Sequence, residues 1–175
     1  MALPDFLRVQ SGTSKTWKSS GGDALLTMTS VANAASRQGA KLDLGATRAE
    51  YYDVFLDMEL AATPTAGNTI DVYWAPSSSA TAGTDNPANV SGADAAYTGY
   101  SANADASLPQ LQYVGAMVCT AQATATVQKA YVGRFSPAQR YGSPVLRNGS
   151  GAAVHSSATN IQLRFVPVEG AIEET

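Results

Sequence analysis

The chain has 175 residues and a mass of 18.1 kDa, a size that fits one domain with a sizeable core. Its net charge of −3, with no run of Lys and Arg, argues against a nucleic-acid binder, which needs clustered positive charge to displace counterions. Charged residues make up 14% of the chain, against ~25% in an average soluble protein; small neutral side chains replace them, as suits a subunit that packs against neighbours or a plain Ser/Thr-rich β domain.

Residues 1–22 contain Phe6, Leu7, Val9 and Trp17, too apolar for a solvated tail yet without one clear period. They are expected to form an arm in which Phe6, Leu7 and Trp17, flanked by Arg8, Lys15 and Lys18, bind a partner with an acidic surface. The alternative is a first strand or a wrap over the protein's own core. The opening residues show no positive region followed by an apolar stretch, so they do not read as a secretion signal and synthesis in the cytoplasm is expected. No window approaches the ~20 apolar residues that cross a bilayer. The Asn-x-Ser triplets at Asn89 and Asn148 then read as chance matches.

From residue 23 onward the pattern is that of short strands. Asp23 to Thr29 and Lys41 to Leu44 are expected as strands, and Val31 to Gln38 as a loop because its alanines form no apolar face. Tyr51 to Leu60 alternates strictly, with Tyr52, Val54, Leu56, Met58 and Leu60 on one face. Thr69 to Ala75 alternates likewise through Ile70, Val72 and Trp74. Joined by a turn-rich stretch at 63–68, the two read as a β-hairpin. Pro76 to Asp105, rich in small polar residues, is too long for a simple connection and is either a functional insertion or a loop ordered by contact. A helical turn is expected near Ser107-Leu108-Pro109. Leu111 to Val118 and Val127 to Phe135 read as a second hairpin, with Gly115 and Gly133 marking bulges or a close backbone approach. Tyr141 to Leu146 and Ile161 to Val166 complete the set, with Ala152 to Val154 as a further short strand. The fold class is all-β, a two-sheet antiparallel sandwich of jelly-roll-like form over 23–175 with an extended N-terminal arm.

A search for chemistry finds little. Cys119, the one cysteine, cannot form an intrachain disulfide, and pairing it with His155 as nucleophile and base has no supporting motif. Asp57 and Glu59, about 7 Å apart along one strand face, have the spacing of a glycosidase pair, but polar residues opposite a buried face are ordinarily solvated. Asp85, Asp94 and Asp105, with Asn86 and Asn89, have the oxygen chemistry of Ca²⁺ ligands without the spacing of a calcium loop. One His and one Cys cannot build the usual zinc site, and no Gly-x-Ser-x-Gly elbow is present. The expectation is a protein without cofactor or metal that is not an enzyme.

The C-terminal third adds a pattern: Val132-Gly133-Arg134-Phe135-Ser136-Pro137, then Arg140-Tyr141-Gly142-Ser143-Pro144-Val145-Leu146-Arg147-Asn148, a Gly-Ser turn, and Ile161-Gln162-Leu163-Arg164-Phe165-Val166-Pro167-Val168. In layout it resembles the jelly-roll head decoration, or cement, proteins of tailed bacteriophages. The resemblance implies a virion protein, often a homotrimer, that binds the major capsid protein of a phage head and stabilises the shell. It carries no site residue over. The alternative is a carbohydrate-binding jelly-roll module using Trp17, Tyr73, Tyr97 or Tyr100 as sugar platforms.

Overall fold

A computed structural model of the chain describes residues 6–157 and 159–173, with side chains over 11–170. Its strands are β1 (Phe6–Ser11), β2 (Lys15–Lys18), β3 (Ala24–Leu25), β4 (Ser36–Gln38), β5 (Leu42–Asp43), β6 (Tyr51–Glu59), β7 (Thr69–Ser77), β8 (Ala95–Ala96), β9 (Gln112–Val118), β10 (Val127–Phe135), β11 (Tyr141–Asn148) and β12 (Gln162–Glu173). One sheet runs β10-β6-β12-β2-β3, with β1 also on β12; the other runs β8-β4-β11-β7-β9, with β5 also on β11. Pairing is antiparallel except between β2 and β3, and the two sheets pack as a sandwich.

The alternating runs occupy the centre as expected. Val54, Leu56, Met58, Ile70, Val72 and Trp74 are all at 0% exposure, and burying each such side chain contributes about 1.5–3 kcal/mol. The expected hairpin between them does not form. β6 lies between β10 and β12, whereas β7 lies between β11 and β9 in the opposite sheet, so the two apolar faces meet across the sandwich. Alternation fixes which face is buried and not which strand lies alongside, so the same pattern serves two strands in one sheet or in two facing sheets. The connection at 60–68 is also bonded outward: Ala61, Thr65 and Gly67 donate to the carbonyls of Ala153, Ser150 and Cys119.

The second expected hairpin divides the same way, with β9 and β10 as edge strands of different sheets. Both carry bulges, at Val72/Tyr73 opposite β9 and at Tyr131/Gly133 in β10. The two edges abut where the glycines sit: a Cβ on Gly133 would stand 3.0 Å from the Val114 carbonyl, and one on Gly115 would overlap the Val132 carbonyl. Close approach, rather than hairpin pairing, is why these positions are glycine.

The segment expected as an arm joins the first sheet over its described part. β1 pairs with β12 from Phe6↔Glu173 to Ser11↔Val168, and β2 pairs with β12 at Leu163↔Trp17. Short strands also form at Ser36–Gln38, in a stretch expected as loop, because β11 offers it a free edge at Val145↔Gln38. Asp23 to Thr29 and Lys41 to Leu44 contribute two-residue strands, and Val154 makes an isolated bridge to Leu60.

The long segment after β7 is ordered by its own chain. It folds back over the outward face of the second sheet, where Ala88, Val90, Tyr97, Leu108 and Leu111 pack on Ala75 and Val145 as a second apolar cluster. A four-residue helix, α1 (Ala104–Ser107), is capped by the Asn103 side chain, and a 3-10 turn with Pro109 early in it follows at Leu108–Gln110. Two polar pins hold this cover layer. Asp94 accepts from Thr27 N and Oγ1 and from Arg37 Nε and Nη2 at 2.5 to 2.9 Å. Lys41 Nζ donates to Ser77 Oγ and to the carbonyls of Ser79, Thr81 and Thr84.

Candidate functional site

The residues expected to bind a partner separate. The side chains of Phe6, Leu7 and Arg8 lie outside the described residues, although their backbones pair in β1. Trp17 is not available to a partner: its ring is at 0% exposure, and its Nε1 donates to Ala40 O at 2.9 Å. The period of β2 is too short to reveal this burial in the sequence. Lys15 and Lys18 are partly buried, and Lys15 lines a cleft with Arg48, Tyr52 and Glu169 at the root of the β1–β12 pairing.

Asp57 and Glu59 project from the outward face of β6, as the alternation requires, but they are not solvated. They are 4% and 3% exposed. Gln162 Nε2 donates to Asp57 Oδ2 at 2.7 Å, and Arg164 Nη2 stands 3.6 Å from Oδ1. Asn160 Nδ2 donates to Glu59 Oε2 at 3.1 Å, with His155 Nδ1 3.2 Å from Oε1. The stripe continues along β6: Arg164 lies over the Phe55 ring at 5.4 Å, Tyr131 meets that ring edge-on, and Arg134 grips Asp53 through two hydrogen bonds. That grip, supported by the Tyr131 hydroxyl, holds the Asp53 carboxyl below its ordinary value despite partial desolvation. A substrate would have to displace these partners to reach either buried carboxylate.

Cys119 is 1% exposed, and burial pushes its thiol up, away from the thiolate a nucleophile needs. His155 Nδ1 accepts from Ser157 N. The acids weighed as calcium ligands are engaged one by one: Asp94 with Arg37, Asp105 with Arg147, and Asp85 with Ser78. Asn86 and Asn89 donate their amides to carbonyls. Among the described residues no group of three His, Cys, Asp or Glu could hold a metal ion, and no helix is long and apolar enough to cross a membrane.

Among the described residues, two exposed features bear on binding. The first is the seam between β9 and β10. Tyr113 and Tyr131 each stand one residue from the Val114/Gly133 and Gly115/Val132 contacts, on opposite sides of it, and are 55% exposed; Val118 at the end of β9 is 59% exposed. The second is a cleft of about 310 Å³ where the cover layer stops short on the second sheet, lined by Asp71, Tyr73, Asp105, Leu108, Pro109 and Arg147. Asp71 and Arg147 are cross-strand neighbours in β7 and β11, and Arg147 Nε and Nη2 donate to Asp105 at 2.6 and 3.0 Å. This pairing holds the Asp105 carboxyl low. The sequence gives no sign of the cleft, because Asp105 and Arg147 lie far apart in the chain. Of the four expected sugar platforms, Trp17 and Tyr97 are buried, Tyr73 lines the cleft and Tyr100 is exposed.

No family model and no curated protein matches this chain.

Proposed function

We propose that the chain is a structural virion protein, a decoration or cement subunit that binds the major capsid protein of a bacteriophage head and stabilises the shell without catalysis. In this reading it is made in the host cytoplasm, assembles as a homotrimer of jelly-roll-like subunits, and resides in the virion. The observation that carries the protein-binding part is the β9/β10 seam. Tyr113 and Tyr131, each packed on a neighbouring ring on its own sheet, and Val118 at the end of β9 are still more than half exposed along two edges that abut each other, and so offer apolar surface to a partner. Repeated by symmetry, modest contacts of this kind stabilise an assembled shell by mass action, since the subunit binds the assembled form and not free capsid protein. The candidate groups for chemistry support a non-catalytic role, because the carboxylate pair and the thiol are buried. The carbohydrate-binding alternative is weaker, having two of its four platforms in the interior.

The test is sedimentation of the purified chain with heads of the phage that encodes it. Saturable retention, with heads that survive a higher temperature, is the expected result. Tyr113→Ser together with Tyr131→Ser should weaken retention while the unfolding transition stays cooperative, its midpoint lowered by loss of the ring contacts with Tyr73 and Phe55 and of the hydrogen bond to Asp53. Absence of retention, or glycan binding in its stead, would overturn the proposal.

A further inference from the structure

The cleft beside Tyr73 has an unusual chemical balance. It holds two carboxylates, Asp71 and Asp105, and one guanidinium, Arg147, which leaves one unit of negative charge. Arg147 uses three of its five N–H groups, Nε and Nη2 to Asp105 and Nη1 to the Asn148 carbonyl at 3.1 Å, and its charge also reaches its cross-strand neighbour Asp71. Asp71, by contrast, makes no hydrogen bond or close ion pair among the described residues, although it faces the cleft. Its neighbours are the Tyr73 ring, met edge-on by Tyr113 at 5.3 Å, and an apolar wall of Leu108 and Pro109.

We propose that this cleft receives the cationic end of an arginine or lysine side chain from the partner protein. The inference rests on the reading that the chain binds a protein, and it adds the chemistry of one contact. Guanidinium and ammonium groups donate hydrogen bonds and accept none. A cleft whose guanidinium is bound to Asp105 and to the Asn148 carbonyl, and whose second carboxylate makes no hydrogen bond among the described residues, matches such a ligand. The aliphatic stem lies along Leu108 and Pro109, the charge meets Asp71, and the tyrosine face adds a cation–π contribution. An anion would face the net negative charge. A Ca²⁺ ion would find one open carboxylate where it takes six to eight oxygen ligands.

The test uses small probes on the full chain: N-acetyl-arginine methylamide and n-butylammonium, with N-acetyl-glutamate methylamide and methyl glucoside as contrasts. Binding is read from the ring resonances of Tyr73 and Tyr113. The cationic probes should give saturable shifts with dissociation constants in the millimolar range, about what one side-chain contact supports. Salt should weaken them, Asp71→Asn should weaken them at least fivefold, and Asp71→Glu should retain them. Shifts that survive Asp71→Asn, equal shifts with the glucoside or glutamate probe, or no shifts with the cations overturn the inference. Head sedimentation separates the two claims. Wild-type chain that binds the cations but not heads would sink the proposed function, whereas retention on heads unchanged by Asp71→Asn would sink the role of this cleft.

Discussion

Trp17 and Trp74 meet edge to face at the centre of the sandwich, ring centroids 5.9 Å apart, with no exposed surface on either. Phe165 touches both rings, at 4.8 and 5.3 Å. A residue from the N-terminal segment is therefore part of the aromatic centre that joins the two sheets. Deleting Met1 to Lys18 should abolish cooperative unfolding, and Trp17→Ala should cost about 3–5 kcal/mol. Denaturant titration followed by circular dichroism checks both. A truncated chain that keeps a sharp transition would show that the strand pairing of β2 is dispensable.

Leu56 and Val72 come from opposite sheets and are both fully buried, so Leu56→Asp or Val72→Asp places a charge in the core and should prevent soluble folding. Asp57→Ser is a different case. On a solvated face it would be mild, but here the Gln162 amide loses its acceptor and Arg164 its counter-charge. A loss of about 1–3 kcal/mol is expected. Stability unchanged by Asp57→Ser would mean that the outward stripe of β6 contributes nothing to the fold.

What the sequence made legible follows from what periodicity encodes. Period two in 51–60 and 69–75 identified the faces of β6 and β7 that meet in the core but not the burial of Asp57, Glu59 and Ala75 on the opposite faces, and Gly115 and Gly133 marked a true close approach. It could not reveal strand partners, because a strand shows the same alternation whichever strands lie along its edges. The cover layer was hidden for another reason. Beside its apolar cluster it is held by single anchors such as Asp94 and Lys41, whose partners lie far away in sequence, at Thr27 and Arg37 or at Ser77 to Thr84. Gly142 is a similar case: the Trp74 indole lies where its Cβ would be, which no local pattern announces.

Acid should unfold the protein partly through Asp94. Burial by itself raises this carboxyl, but the hydrogen bonds from Thr27 and Arg37 and the Arg37 charge outweigh it and hold the group below its ordinary value. A depressed folded-state value means that the stabilisation is complete above the unfolded value near 4 and is lost as pH falls through the folded one. The urea midpoint should drop between about pH 5 and about pH 3, and Asp94→Asn should be less stable at neutral pH with a shallower drop. It will not be flat, since Arg140, Arg134 and Arg147 hold Asp43, Asp53 and Asp105 low as well, though these pairs are more exposed and contribute less. Identical acid slopes in both proteins would place the sensitivity elsewhere.

Lys41 offers the sharpest test of the cover layer. Its ammonium lies 2.8 Å from Ser77 Oγ and 3.1, 2.7 and 2.8 Å from the carbonyls of Ser79, Thr81 and Thr84. Desolvation lowers its pKa and the nearby Asp85 charge pulls it back up. One cation thus organises a loop that has little apolar surface to order it. Lys41→Met keeps most of the stem and removes the charge, leaving three carbonyls and a hydroxyl to seek water. Opening of the loop should become easier by about 1–3 kcal/mol, so amide exchange over 78–84 should quicken roughly fivefold to a hundredfold or more. Exchange in β6 and β7 should change little, because their protection comes from the sandwich core. Unchanged exchange over 78–84 would show that the loop is ordered by its backbone turns and not by Lys41.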